Sequence, residues 1–272
     1  MTSLRLLLTV SAAWVLCAGA ALAAPIQPAA AYATVAGGSF MSLLPPDGKR
    51  GKAVVADFSM RVLPVTNAEF ARFMQLHPVW RRDRIAGGSM ADTQYLQAWL
   101  AGSLPVKTQL LQPVTSVSWF AAQAYCQAEG ARLPTWHEWE YAAAANATRR
   151  DARTDSLWRA RILDWYGQTS KTLPPVGSTA KNVYGVQDLH SVIWEWVDDF
   201  GALMVSGDNR TQGDPDVARF CGAGAISAND RENYPVLMRM AMLSSLSAAS
   251  TNRNLGFRCV RDRAKPPKKG MS

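Results

Sequence analysis

The sequence predicts an irregular, loop-rich fold that mixes helices with short strands. The chain has 272 residues and 48% hydrophobic content, which suits one domain of ordinary core size or two small ones. Ten tryptophans and nineteen glycines indicate that large rings cover irregular backbone. Helix-capping patterns and short stretches of strand-like alternation follow one another along the chain, so both element types are expected.

Residues 1–23 have the composition of a secretory signal peptide. Arg5 precedes an apolar run at residues 6–18, and Ala21-Leu22-Ala23 is a small-x-small cleavage site. The run is short for a membrane span and lacks a stop-transfer flank, which disfavours the alternative of a permanent anchor. We therefore expect cleavage after this site and export to an oxidising compartment, the periplasm.

Charge is concentrated at the C-terminal end of the chain. The formal net charge is +8, and half of it lies in residues 261–269. The remaining body is only mildly basic, which disfavours nucleic acid as a partner. Residues 263–272 are expected to be a solvated, disordered tail, and the Ala- and Pro-rich residues 24–34 are interpreted as a linker.

The first third of the folded body predicts a strand pair followed by a capped helix. A strand opens at residues 37–41, a Pro-Pro-Asp-Gly turn follows at residues 45–48, and residues 54–60 alternate as the return strand. Thr66 and Glu69 then form a capping box. The helix after it has apolar residues at i, i+3 and i+4.

Residues 119–145 predict a helix hairpin. Ser118 is the N-cap of the first helix, and Gly130 ends it in a left-handed turn. Thr135 and Glu138 form a second capping box that begins the next helix.

The other segments carry weaker signals. Residues 80–112 are expected to be irregular with at most one helix, and residues 146–172 are expected to be a variable loop. Residues 193–197 are typical of a buried strand with acidic residues at its end, and residues 255–260 are expected to form the closing strand.

In order and spacing, these segments resemble the formylglycine-generating enzyme (sulfatase-modifying factor) family over residues 35–262. The matching stretches are GGSF at 37–40, PVTNAEFARFM at 64–74, PVTSVSWFAAQAYC at 113–126, EGARLPT at 129–135, EWEYAA at 138–143, VGS at 176–178, YGVQDLH at 184–190, WEWV at 194–197 and LGFRCVRD at 255–262. The resemblance implies a single domain with the family's α+β fold, which is irregular, loop-rich and related to C-type lectins. WEWVDDF and the replaced cysteine pair described next favour the PvdO and NirV branch.

Members that convert a sulfatase cysteine to formylglycine bind Cu(I) through two cysteines five residues apart, since soft thiolates select Cu(I). A gapless count back from GFRC places these positions at Asp230 and Pro235, and neither is a thiol. Cys221 is the only cysteine nearby and is either a small buried apolar residue or a reactive thiol. Asp230 and Glu232 replace the lost thiol region and are candidates for a base or a hard-metal ligand, with simple solvation as the alternative. The candidate catalytic residues are therefore Cys221, Asp230 and Glu232.

The resemblance also implies roles for other residues. Four polar residues fall where the family lines its substrate groove: Arg239, Ser244, Ser250 and Thr251. Cys126 and Cys259 stand where the family forms a disulfide, which is the default expectation for an exported protein.

Cofactors are left open by the sequence. The family's calcium loop has Val192 in place of its asparagine here, so Glu195 and backbone carbonyls are expected to hold Ca²⁺ weakly at most. A redox metal, copper or iron, is disfavoured because the cysteine pair and the clustered histidines of the iron-dependent branch are both missing. His77, His137 and His190 stand apart and are interpreted as structural.

The function expected from the sequence is maturation of another exported molecule. As an enzyme, the protein is expected to oxidise a peptide-like substrate, or an exported cofactor or siderophore precursor, near Cys221, Arg239 and Ser244. The alternative is a non-catalytic binding or assembly factor for an exported partner enzyme. Formylglycine generation on sulfatases is a third hypothesis, which the missing cysteine pair disfavours.

Overall fold

Regular structure is short and scattered between long connections. The computed structural model describes residues 30–42, 52–100, 104–167, 172–201 and 234–263. The helices are α1 (Asn67–Leu76), α2 (Trp119–Ala128), α3 (Trp136–Ala143), α4 (Ser156–Gly167) and α5 (Tyr234–Ser244). The strands are β1 (Tyr32–Val35), β2 (Gly38–Met41), β3 (Lys52–Val55), β4 (Phe58–Arg61), β5 (Trp194–Glu195), β6 (Leu255–Gly256) and β7 (Val260–Asp262). The predicted α+β, loop-rich single domain is confirmed.

The strands form three small sheets within the described ranges. β1, β4 and β7 make an antiparallel sheet in the order β1-β4-β7, in which Tyr32 pairs with Arg61 and Phe58 pairs with Asp262. β2 and β3 form an antiparallel pair, and β5 and β6 form a parallel pair. The first and last strands of the domain therefore meet on β4, which closes the fold.

The predicted helix caps are confirmed. Thr66 and Thr135 each accept a hydrogen bond from the amide three residues later, and Glu69 and Glu138 accept one in return from the cap amide. Ser118 caps α2 in the same way without an acidic partner. These bonds are local in sequence, so the sequence alone could identify them.

Two segments predicted as irregular are ordered elements. Residues 32–34, assigned to a linker, lie in β1, where backbone pairing with β4 holds them. Residues 156–167, assigned to a loop, form α4. Trp165 and Tyr166 of this helix contact Trp194 at ring-centroid distances of 5.6 and 4.7 Å, so a distant strand stabilises the helix.

Two predicted strands are each divided in the structure. The return strand at residues 54–60 is split between β3 and β4, which belong to different sheets. The chain turns between them where Asp57 accepts a hydrogen bond from the Gly37 amide. The closing strand at residues 255–260 is split between β6 and β7, since one end pairs with β5 and the other with β4.

A disulfide joins the helix hairpin to the last strands. Cys126 in α2 and Cys259, just before β7, are bonded with their Cα atoms 5.5 Å apart. This confirms the predicted pair, and both residues are fully buried in a core rich in aromatic rings. No helix within the described ranges is long and apolar enough to cross a membrane.

Candidate functional site

The strand β5 carries a buried ion pair. The carboxylate of Glu195 accepts hydrogen bonds from Arg258 at 2.7, 2.9 and 3.0 Å, and both side chains are 0% exposed. The indole of Trp139 donates to the same carboxylate at 2.8 Å. The guanidinium of Arg258 also donates to the carbonyls of Arg61, Val62 and Gln187. The pair is thus well satisfied, which a buried charge requires.

This geometry does not fit the calcium ion that the family resemblance implies. Both carboxylate oxygens of Glu195 already accept hydrogen bonds from Arg258. The carbonyl oxygen of Glu195 accepts a hydrogen bond from Arg239. Two guanidinium cations therefore lie where a divalent cation would need oxygen ligands, and like charges repel. The weak calcium site expected at Glu195 disagrees with these contacts.

Arg239, predicted to bind substrate, is buried on aromatic rings. It projects from α5, is 1% exposed, and has its guanidinium carbon 3.5 Å from the ring centroid of Trp139. Its Nε is buried and has no hydrogen-bond partner among the residues that the structure describes. Burial lowers the pKa of Arg239 to about 10, while the nearby Glu195 opposes that shift. The side chain is therefore a buried cation, and direct contact with a substrate stays a prediction.

His190 packs beside the same indole. Its ring meets Trp139 and Trp158 edge-on, at centroid distances of 5.2 and 5.4 Å. Nε2 lies 3.0 Å from the carbonyl oxygen of Ala143, which can only accept, so Nε2 carries the proton. Nδ1 is buried, with no partner in the described part of the chain. Burial lowers the pKa of His190 to about 3, with Arg239 acting in the same direction, so the ring is neutral near pH 7.

Tyr166 of α4 contacts both β5 and α5 at the edge of this cluster. Tyr166 stacks on Trp194 at 4.7 Å, with an angle of 23° between the rings. The hydroxyl of Tyr166 donates to the carbonyl oxygen of Pro235 at 3.1 Å. Pro235, which the gapless count from GFRC aligns with the second copper-binding cysteine, is buried in the first turn of α5. Pro235 is thus part of the helix packing.

The remaining predicted groove residues lie at the end of α5 and on the loop that follows it. The Ser244 hydroxyl donates to a carbonyl one turn back in its own helix. Ser250 accepts a hydrogen bond from the amide of Ser247. Thr251 donates to Asp92 through both its amide and its hydroxyl, at 2.8 and 2.5 Å. The loop is therefore held in place by bonds that the sequence did not predict, and contact with a substrate stays a prediction for all three residues.

The three candidate catalytic residues, Cys221, Asp230 and Glu232, lie outside the described residues. Within the described ranges, no group of three or more His, Cys, Asp or Glu side chains is placed to hold a metal ion.

Sequence reasoning missed the partners of Glu195. Arg258 stands inside the LGFRC stretch, but nothing local marks it as the counter-charge of a residue 63 positions earlier. A signal did exist, because a glutamate between two tryptophans in a buried strand requires a buried cation. No comparable pattern in the neighbouring residues predicted the helix α4 or the contacts of its Tyr166.

The fold described above combines small sheets, capped helices and a WEW strand whose glutamate lies in a buried ion pair. A family model for the sulfatase-modifying factor enzyme 1-like domain matches residues 19–263. This chain belongs to that family.

Relatives within the family include active and inactive members. The chain is 27% identical to the inactive C-alpha-formylglycine-generating enzyme 2 of Bos taurus, over 85% of this chain and 88% of the relative. It is 35% identical to the formylglycine-generating enzyme of Streptomyces coelicolor, over 55% of this chain and 52% of the relative. Among solved structures, PvdO from Pseudomonas aeruginosa is 17% identical, with a TM-score of 0.47, over 85% of this chain and 93% of that one.

Proposed function

We propose that this protein is an exported, periplasmic maturation factor that binds a peptide-like segment of a partner molecule and does not generate formylglycine on sulfatases. Pro235 supports the exclusion of formylglycine generation. The gapless count aligns it with the second thiol of the family, it is buried, and its carbonyl accepts a hydrogen bond from Tyr166. A Cu(I) site of two thiolates has no second ligand at such a position.

The first experiment tests whether the protein generates formylglycine. The mature protein is loaded with Cu(I) and incubated in air with a sulfatase-type cysteine peptide, and the peptide mass is followed. The formylglycine-generating enzyme of Streptomyces coelicolor serves as the positive control. We expect no mass change attributable to formylglycine. Conversion at a rate near that of the control would overturn the exclusion.

The activity to test first is oxidation of the peptide-like substrate by dioxygen, with Cys221 as the reacting thiol or a single soft ligand. Cys221 is the one cysteine that remains after removal of residues 1–23 and formation of the disulfide. The alternative is a non-catalytic assembly factor that holds its partner through the same groove.

Metal content separates these two alternatives. The mature protein is measured for bound metal before and after loading with Cu(I) and Fe(II), beside a Cys221→Ser variant. Stoichiometric binding that is lost in the variant supports oxidation at Cys221. A protein that binds neither metal and consumes no oxygen supports the assembly factor.

A further inference from the structure

The corner that follows α1 projects from the body of the protein. The helix ends at Leu76, and a 3-10 turn follows it at Pro78–Trp80. Five consecutive residues, 75–79, are exposed, so the chain stands away from the core here. We call residues 72–84 the α1 corner. They share no residue with the cluster around Arg239, and nothing in the proposed function uses them.

Two large apolar side chains stand at the tip of the α1 corner. Leu76 is 71% exposed and Val79 is 62% exposed, so neither contributes to the hydrophobic core. Contact of these side chains with water is unfavourable, because apolar surface is favoured away from water. An apolar phase that covers the tip would therefore be favoured.

More exposed leucines lie beside the α1 corner. Arg82 donates to the carbonyl oxygen of Gln97 at 3.4 Å, which ties the segment around Gln97 to the corner. Leu100 and Leu104, a few residues further on, are 59% and 55% exposed and are partners in an isolated β-bridge. They add to the exposed apolar surface of this region, and such surfaces mark contact sites for proteins or membranes.

The charge of the α1 corner is positive. Residues 72–84 contain four arginines and one aspartate, which gives a net charge of +3. Asp83 pairs with Arg81 at 3.0 Å. Arg72 and Arg84 are exposed, and neither forms an ion pair with another residue that the structure describes. Cations therefore flank the apolar tip on both sides along the chain.

The backbone below the tip is fixed by contacts with the core. The hydroxyl of Tyr95, which is buried, donates to the carbonyl oxygen of Trp80 at 2.9 Å. The ring of His77 lies on the buried ring of Phe73, with the centroids 4.9 Å apart. Burying the two apolar side chains of the tip in the core would break these contacts. Their exposure is thus built into the turn.

We propose that the α1 corner is a peripheral contact with an anionic phospholipid bilayer. Leu76 and Val79 enter the boundary between the headgroups and the acyl chains. Arg72 and Arg84 pair with lipid phosphates, which are the complementary charge. A stable protein interface takes roughly 20–30 residues on each side, more than the corner contains, whereas a bilayer contact requires only a few inserted side chains and positive charge.

Sedimentation with vesicles tests the proposal. The mature protein is mixed with vesicles of phosphatidylglycerol and phosphatidylcholine, or of phosphatidylcholine alone, at low and high salt. We expect binding to the anionic vesicles that weakens at high salt, and binding to the neutral vesicles weaker by about tenfold or more. Equal binding to both would overturn the proposal. So would no binding to the anionic vesicles, which is the result expected if the corner serves an acidic protein instead.

A double variant of the tip locates the contact. Leu76→Ser/Val79→Ser should weaken binding to the anionic vesicles by about tenfold or more, because two inserted apolar side chains are lost. Leu157→Ser is the matched control, since Leu157 is 73% exposed on α4, and it should bind like the wild type. Both variants change exposed side chains, so their melting temperatures should match the wild type. Equal losses of binding would contradict a contact at the corner.

The lysines near the C-terminus are the competing explanation for binding to anionic vesicles. Arg72→Gln/Arg84→Gln should weaken this binding by about tenfold or more, because two cations leave the contact. The variant Lys265→Gln/Lys268→Gln/Lys269→Gln should lose less, although it removes three charges. Binding that is lost in the lysine variant and kept in the arginine variant would show that the C-terminal segment holds the lipid, and it would refute the proposal.

Discussion

At the scale of single residues, the buried Glu195–Arg258 pair should contribute strongly to the free energy of unfolding. Glu195→Gln leaves the guanidinium of Arg258 buried at 0% exposure without a counter-charge. We expect a loss of about 3–5 kcal/mol in the free energy of unfolding, because an uncompensated buried charge is strongly unfavourable. Urea denaturation of the mature protein measures this change.

An exposed pair of the same chemistry is the control. Asp262 contacts Arg132 at 2.5 Å but is 77% exposed. Asp262→Asn should change the free energy of unfolding by less than about 1 kcal/mol, because water screens exposed ion pairs. Similar losses in the free energy of unfolding of the two variants would contradict the prediction that burial makes the Glu195 pair the more important one.

His190 should make stability depend on pH. Its pKa is lowered from 6.5 to about 3, chiefly by burial, so the unfolded chain binds a proton in this range and the folded protein does not. The contribution of the neutral His190 to the free energy of unfolding is complete above about pH 6.5. It is lost as the pH falls towards 3, by up to about 1.4 kcal/mol per pH unit.

His190→Gln removes the titrating group and should reduce this slope between pH 6 and 4, measured by urea denaturation at each pH. His77, whose ring is exposed, provides the control variant His77→Gln, in which the wild-type slope should persist. An unchanged slope in His190→Gln would show that another group causes the dependence.

At the scale of elements, the disulfide ties α2 to the end of the chain across 133 residues. Replacing both cysteines in Cys126→Ser/Cys259→Ser should lower the free energy of unfolding by about 2–5 kcal/mol, since the unfolded chain gains freedom. Denaturation with and without a reducing agent measures it. Reduction should destabilise the wild type and leave the double variant unaffected, and a wild type insensitive to reduction would contradict the prediction.

The elements that the sequence predicted correctly are those fixed by nearby residues. Thr66, Ser118 and Thr135 cap their helices through bonds that reach only three residues along the chain. In contrast, α4 depends on contacts of its Trp165 and Tyr166 with Trp194, and β1 depends on pairing with β4. Such partners are set by the tertiary fold, so residue patterns within each segment do not identify them.

At the scale of the whole molecule, the family motifs predicted the fold and the disulfide but not the arrangement of charges. Glu195 and Arg258 both stand in matched stretches, yet their pairing appears only when β5 lies beside β6. The motifs also did not predict that the guanidinium of Arg239 is buried against Trp139. Burial depends on every element packed around a residue, which one motif does not specify.

The disulfide also has a topological consequence. Cys126 and Cys259 close a covalent ring that contains α3, α4, α5 and the strands β5 and β6. A single proteolytic cut anywhere within this ring opens it without separating the two pieces. Nicked protein should therefore migrate as one species on a non-reducing gel and divide into two fragments only after reduction. Release of a fragment cut within this ring therefore requires either a second cut or a reductant.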